Sequence, residues 1–196
     1  MKKLGEVVKI SLILFLITAI AALLLAYVNK VTAPLIAENN QKKINDALAV
    51  VMTSATDFEK VENTDIAQKL ADNYDAEVDS IYMAKNADKT VGVCAIVVTK
   101  GYDAGLTTAV GVNLEGKVEG IEIISHKETP GLGANATKPE FKDKFKGKTQ
   151  NIAVVKSGAK DNEIDAMSGA TMTSNGVTDG VNCVIDIAAE LMKEGM

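Results

Sequence analysis

The chain has 196 residues, with 26 acidic against 21 basic side chains, a formal charge of −5, two cysteines and one histidine. No basic run goes beyond Lys42-Lys43, which argues against nucleic-acid binding. Two separated cysteines with one histidine make neither an iron–sulfur nor a structural zinc site, so no metal is expected. Every basic residue is lysine, so the bidentate fork that arginine offers a phosphate is absent, and a phosphate here must meet backbone amides, hydroxyls, lysine or a covalent bond.

Lys2, Lys3 and Lys9 stand in a short N-terminal tail, residues 1–9. Ile10 to Asn29 then carries no charge and is almost wholly Leu, Ile, Ala, Val and Phe. That length suits a bilayer-spanning helix. It exceeds the apolar region of a secretory signal, and Pro34 follows the one small-residue site, Val31-Thr32-Ala33, where it would hinder cleavage. An uncleaved anchor over 10–29 is therefore expected. The lysine asymmetry places the tail in the cytoplasm and the rest of the chain on the extracytoplasmic face of the membrane.

Residues 30–75 read as a juxtamembrane helical segment. Leu35, Ile36, Ile44, Leu48 and Val51 set a loose helical period from Pro34 to Thr53, and Phe58 to Leu70 is polar and ambiguous. A single domain over 76–196 follows. Ser80–Lys85 with Val91–Thr99, and Thr107–Leu114 with Lys117–Ser125, predict two antiparallel hairpins joined by short polar turns. Pro139–Phe145 predicts a short helix with proline at its start. Asn151–Lys156 is a fifth strand candidate, and Val177, Val181, Val184, Ile185, Ala188, Leu191 and Met192 mark an amphipathic C-terminal helix. The fold class is α+β: one membrane helix, then a largely antiparallel sheet with flanking helices. Cys94, in an apolar run, and Cys183, in the C-terminal helix, are read as buried thiols. No G-x-G-x-x-G follows a strand, so no nicotinamide site is indicated.

Ser168-Gly169-Ala170-Thr171-Met172-Thr173-Ser174 opens that last helix. Unpaired amides and the positive end of the dipole favour a phosphate at such a terminus. The plainer reading is that Thr173 or Ser174 caps the helix and the other hydroxyls face water. Upstream, His126-Lys127-Glu128-Thr129-Pro130-Gly131-Leu132-Gly133 combines proline with two glycines, a path that lets backbone approach a flat ligand closely or is simply a loop.

Ser168-Gly-Ala-Thr171 followed by hydroxyl residues, with Asp165 three positions before it, resembles the flavinylation motif of the FMN-binding domain family. Glu128-Thr-Pro-Gly-Leu-Gly133 resembles a second signature of that family, in the same order along the chain. Lys100-Gly101-Tyr102 with Gly105 is a weaker third likeness, since Asp103-Ala104 intervene. The resemblance implies FMN joined by a phosphoester to Thr171, with Thr173 the second choice. It implies that Ser168, Gly169, Ala170 and Thr173 shape the phosphate turn, and that Glu128, Thr129, Leu132 and Gly133 border the isoalloxazine ring, with Tyr102 nearby. His126 is expected to hydrogen-bond backbone.

The one-helix arrangement is most similar to the G subunits of ion-translocating ferredoxin:NAD oxidoreductase (Rnf) complexes. The homologous C subunits of sodium-translocating NADH:quinone reductase are the runner-up, and they are usually longer. What this implies is an electron relay rather than a site of turnover, so no catalytic residue is named. The implied partners are membrane and redox subunits of one complex, a flavin transferase for maturation, and the bilayer. A membrane-anchored scaffold and a free-standing flavoprotein reductase are the alternatives.

Overall fold

A computed structural model of the chain describes residues 2–61, 65–87 and 89–193. It divides into two units, Met1–Lys43 and Ile44–Met196. Helix α1 runs from Lys2 to Val51 without a break, with Pro34 inside it. The expectation was an anchor helix over 10–29 followed by a separate juxtamembrane helical segment. Pro34 has no N–H to give the carbonyl four residues earlier, yet the helix carries through. Across the first unit the apolar side chains are exposed. They surround the helix instead of forming a stripe, as a lipid-facing helix requires.

In the second unit β1 (Asp57–Val61), β2 (Glu77–Asn86), β3 (Lys89–Lys100), β4 (Ala104–Asn113) and β5 (Val118–Ser125) form an antiparallel meander in sequence order. Both expected hairpins are there. They are joined by a third, tight one at 100–104, where Lys100 pairs with Ala104. Strand β1 and helix α2 (Asp65–Ala71) occupy residues assigned to the juxtamembrane segment, so 44–61 and 65–75 group with the sheet and not with the anchor. The pattern of β1 is mostly exposed, as befits an edge strand, and it carries too little alternation to read from sequence. Asn151–Lys156 contributes β6 (Ala153–Val155), which pairs in parallel with β7 (Glu163–Asp165) outside the main sheet. The short helix α3 is Pro139–Lys142, followed by a single 3-10 turn to Phe145.

Both faces of the meander are covered. Side chains alternate across a strand. Thus Ile81, Ala95, Val97, Val110 and Ile121 pack under α4 (Thr171–Lys193), against Val177, Val181, Val184 and Ile185. Tyr82, Ala84, Cys94, Ile96 and Ala109 face the other way and bury Ala47, Leu48, Val51 and Met52 at the end of α1. Glycine makes the second contact possible. A Cβ at Gly111 would overlap the Val51 carbonyl, and one at Gly120 would lie 3.2 Å from Val51 Cα. Gly111 pairs with Gly120 across β4 and β5, so the two form a saddle into which the helix end settles. The Glu119 carboxylate then closes that end, accepting hydrogen bonds from Thr53 Oγ1 at 3.2 Å, Ser54 N at 3.0 Å and Ser54 Oγ at 2.9 Å.

The cysteines lie on opposite sides of the sheet, Cys94 among the residues facing α1 and Cys183 among those facing β3 and β4. Both are buried free thiols, as expected. Burial first, then the charge of Glu119, pushes Cys94 up to about 12. Burial and then Asp186 do the same for Cys183, also to about 12.

Candidate functional site

The site forms where three turns meet: the β3–β4 hairpin tip, the loop after β5, and the start of α4. The loop after β5 folds on itself through Pro130-Gly131. Leu132 N donates to Thr129 O at 3.1 Å, and Gly131 has φ +79°, the positive value a type II turn needs at its third position. Asn135 Nδ2 donates to Gly131 O at 2.8 Å and holds the turn from behind.

The turn before α4 is built by its own residues. Gly169 takes φ +71°, which a side chain would resist. Ala170 N donates to Met167 O at 3.0 Å. Ser174 Oγ accepts from Met167 N at 2.9 Å and donates to Ala170 O at 3.0 Å. The helix begins at Thr171, so neither Thr173 nor Ser174 caps it. Ser174 instead staples the turn from inside the first helical turn, and Thr171 stands exposed at the terminus.

Glu128 joins the three turns. It is 6 % exposed. Its Oε1 accepts from the amides of Tyr102 at 3.0 Å and Asp103 at 3.3 Å. Its Oε2 accepts from Thr173 Oγ1 at 2.7 Å. Glycines admit the carboxylate from two sides: a Cβ at Gly101 or at Gly133 would overlap it. Gly133 therefore makes room for Glu128 and Thr173. Gly176 does similar work, since a Cβ there would overlap the Lys100 carbonyl. Among the described residues no lysine forms an ion pair with Glu128. The anion is met by amides and a hydroxyl alone.

Around this junction opens a cavity of about 550 Å³, lined by Tyr102, Glu128, Thr129, Leu132, Gly133, Gly169, Ala170, Thr171, Met172 and Thr173. That volume is ordinary for a cofactor pocket. Tyr102, 68 % exposed, and Met172, 54 % exposed, stand at its rim together with Leu132, giving an apolar edge fit for a flat ring. Leu132 Cδ2 lies 3.1 Å from where a Cβ of Gly169 would be, so the two glycine turns touch. The first turn of α4, Thr171 to Thr173, also lines the cavity, and first-turn amides lack partners within a helix and suit a phosphate. These features fit a flavin nucleotide: an apolar edge for the ring, a helix N-terminus for the phosphate, and no need of arginine.

Nine of the ten residues singled out in the sequence line this cavity. Ser168 does not. It faces an adjoining groove lined by Gly131, Asn135, Lys138, Phe141, Lys144 and Met167, because the positive φ at Gly169 turns the backbone between Ser168 and Ala170. Asp165 also lies elsewhere, in β7, where its Oδ1 accepts from Ala159 N at 2.9 Å. His126 Nδ1 accepts from Glu128 N at 3.2 Å, the backbone role expected of it. Met172 was missed: a methionine next to a threonine gives no sequence signal, and only the helix's orientation brings it to the rim.

Comparison with known proteins places the chain in a family. The FMN-binding domain family matches residues 101–186, and the RnfG N-terminal region matches residues 1–51. The chain is 38 % identical over 195 residues to the G subunit of the Na(+)-translocating ferredoxin:NAD(+) oxidoreductase complex of Acetobacterium woodii, with 95 % of this chain and 94 % of that one covered. It is 34 % identical to the G subunit of the proton-translocating ferredoxin:NAD(+) oxidoreductase complex of Clostridium ljungdahlii, over 85 % of this chain and 83 % of that one. Among solved structures it is similar to the C subunit of the Na(+)-translocating NADH-quinone reductase of Parabacteroides distasonis, 29 % identical with a TM-score of 0.45, over 54 % of this chain and 57 % of that one. The chain therefore belongs to the family of G subunits of ion-translocating ferredoxin:NAD(+) oxidoreductase complexes, and it carries an FMN-binding domain.

Proposed function

We propose that this protein relays electrons within an Rnf-type membrane complex through FMN joined covalently to Thr171. The observation that carries the attachment is the contrast between two hydroxyls on one helical turn. Thr171 is exposed at the N-terminus of α4, beside the cavity and the first-turn amides. Thr173 is 1 % exposed and donates its proton to Glu128, so it offers neither access nor a free O–H. Attachment would form a bond from Thr171 Oγ1 to the phosphorus of an activated flavin nucleotide. The bond from phosphorus to its phosphate-ester leaving group breaks, and the hydroxyl proton passes to solvent. A separate transferase is the expected catalyst, because no base is aimed at Thr171 by any hydrogen bond among the described residues.

The flavin, once bound, supplies one-electron chemistry. The chain's own part is to hold it. The α4 terminus would hold the phosphate, Tyr102, Leu132 and Met172 would border the ring, and Glu128 keeps the three turns together. The domain would sit on the extracytoplasmic face, hung from the helix over 10–29, with its redox partners in the same complex. The two relatives name different coupling ions.

Intact mass of the protein produced with a flavin transferase tests the reading. Wild type should carry one FMN that survives denaturation and maps to the peptide holding Thr171. Thr171→Ala should lose it entirely and Thr173→Ser should keep it. An adduct retained in Thr171→Ala would place the bond elsewhere. Protease added to right-side-out vesicles should remove the domain, and protection of the domain would reverse the topology.

A further inference from the structure

We infer that Glu128 is a positioning residue whose bond to Thr173 sets the pose of the α4 N-terminus, so that Thr171 is presented for flavinylation and the flavin is held in one orientation. This rests on the reading that Thr171 carries FMN.

The resemblance put Glu128 against the ring. In the structure it lines the cavity while both carboxylate oxygens are bonded to protein groups. Its two oxygens are divided between two elements, Oε1 on the hairpin-tip amides of Tyr102 and Asp103 and Oε2 on Thr173. A glycine leaves room for each oxygen, since a Cβ at Gly101 would overlap Oε1 and one at Gly133 would overlap Oε2. Three segments distant in sequence are thereby indexed to one carboxylate. All three contribute to the cavity wall.

Thr173 lies two residues beyond Thr171 in the same helical turn, about 100° per residue around the axis. When Thr173 faces inward to Glu128, Thr171 must therefore face away, toward the opening. Releasing Thr173 leaves the first turn of α4 fastened by the Ser174 bonds alone, so that it is freer to rotate or fray. A buried carboxylate oxygen left without its hydroxyl donor also draws other donors or water to itself. Either outcome moves Thr171 while leaving its own side chain intact.

The test compares Thr173→Val, Thr173→Ser, Glu128→Ala, Glu128→Gln and the double variant Glu128→Ala/Thr173→Val in the full-length membrane protein, produced with a flavin transferase. The readouts are FMN incorporation rate by intact mass, visible circular dichroism of the bound flavin, and thermal midpoint. Thr173→Val should slow incorporation about tenfold, the worth of one hydrogen bond to a charged group, and should alter the flavin's dichroism. Thr173→Ser restores the donor. Glu128→Gln keeps an acceptor for the hairpin amides and presents its amide to Thr173. Both conservative variants should recover wild-type incorporation to within about twofold. The double variant should be no slower than the worse single one, because both remove the same bond.

Equal incorporation and dichroism in wild type, Thr173→Val and Glu128→Ala would overturn the inference while leaving FMN at Thr171 in place. So would independent, multiplicative losses in the double variant. Should Glu128→Ala fail to fold, the Val and Ser pair at position 173 decides alone. A wild-type protein with no FMN at Thr171 would instead defeat the functional reading itself.

Discussion

Two helix ends rest on the same sheet and are finished in opposite ways. At the end of α1 everything is closed: Leu48, Val51 and Met52 are buried, the glycine saddle admits the backbone, and Glu119 takes three hydrogen bonds from Thr53 and Ser54. At the start of α4 only the inward side is closed, by Ser174 and by the Thr173 to Glu128 bond, while Thr171 and Met172 stand open beside a cavity. Each end uses a carboxylate from β5 or the loop after it. One fastens a helix, and the other fastens half of a turn so that the remaining half can serve a ligand. A satisfied terminus is structural, and a half-satisfied one is where chemistry has room.

The largest effect should come from Gly111→Val. Its side chain would overlap the Val51 backbone, and forced overpacking of this kind costs about 3 kcal/mol. Denaturant melts measure it. FMN occupancy of the protein that remains folded should be unchanged, because the α4 end is on the other face. A loss of FMN in step with stability would show that the two faces are not independent.

Glu119→Ala should cost less, about 1.5 kcal/mol, since its hydrogen bonds are on the surface side of the helix end. Again the flavin site should be indifferent. A change larger than that of Gly111→Val would mean that the carboxylate, rather than the saddle, holds the helix.

The smallest and finest probe is thiol chemistry, because each face carries one cysteine. Both thiols are raised from their ordinary 9.0 to about 12 by burial. The folded state keeps a proton that the unfolded chain releases near 9, so the stability tied to each thiol is complete below about pH 9. It is lost as pH rises toward 12. At pH 8 neither thiol should react with iodoacetamide until the chain opens. In Gly111→Val, Cys94 should be alkylated before Cys183. Simultaneous labelling would show that both faces open together.

Much of this was legible in one dimension. The two outer hairpins stood out because residues 80–99 and 107–125 are β-branched-rich and broken by short polar turns, and the terminal helix because its valines recur every three or four residues. The cavity residues were found through the family resemblance that three short strings carry, Ser168–Ser174, Glu128–Gly133 and Lys100–Tyr102 with Gly105. Strand β1 was not legible, since an edge strand with mostly exposed side chains has little pattern to show. The unbroken α1 was not legible either, because proline ordinarily ends a helix and hydropathy falls beyond it.

The sequence by itself determined what each segment tends to be: an apolar helix long enough for a bilayer, alternating strands, a glycine turn before an amphipathic helix, thiols in apolar runs. Those are local properties, set by neighbours within a turn or two of the chain. Only the tertiary structure decided which threonine is free. Thr171 and Thr173 are equivalent in composition and nearly so in position, and what separates them is Glu128, 45 residues upstream of Thr173. It decided, too, that 44–52 belongs to the domain, because the space for that helix end is made by glycines on β4 and β5, about 60 residues away along the chain. Contacts between distant segments select among options that local preference leaves equal.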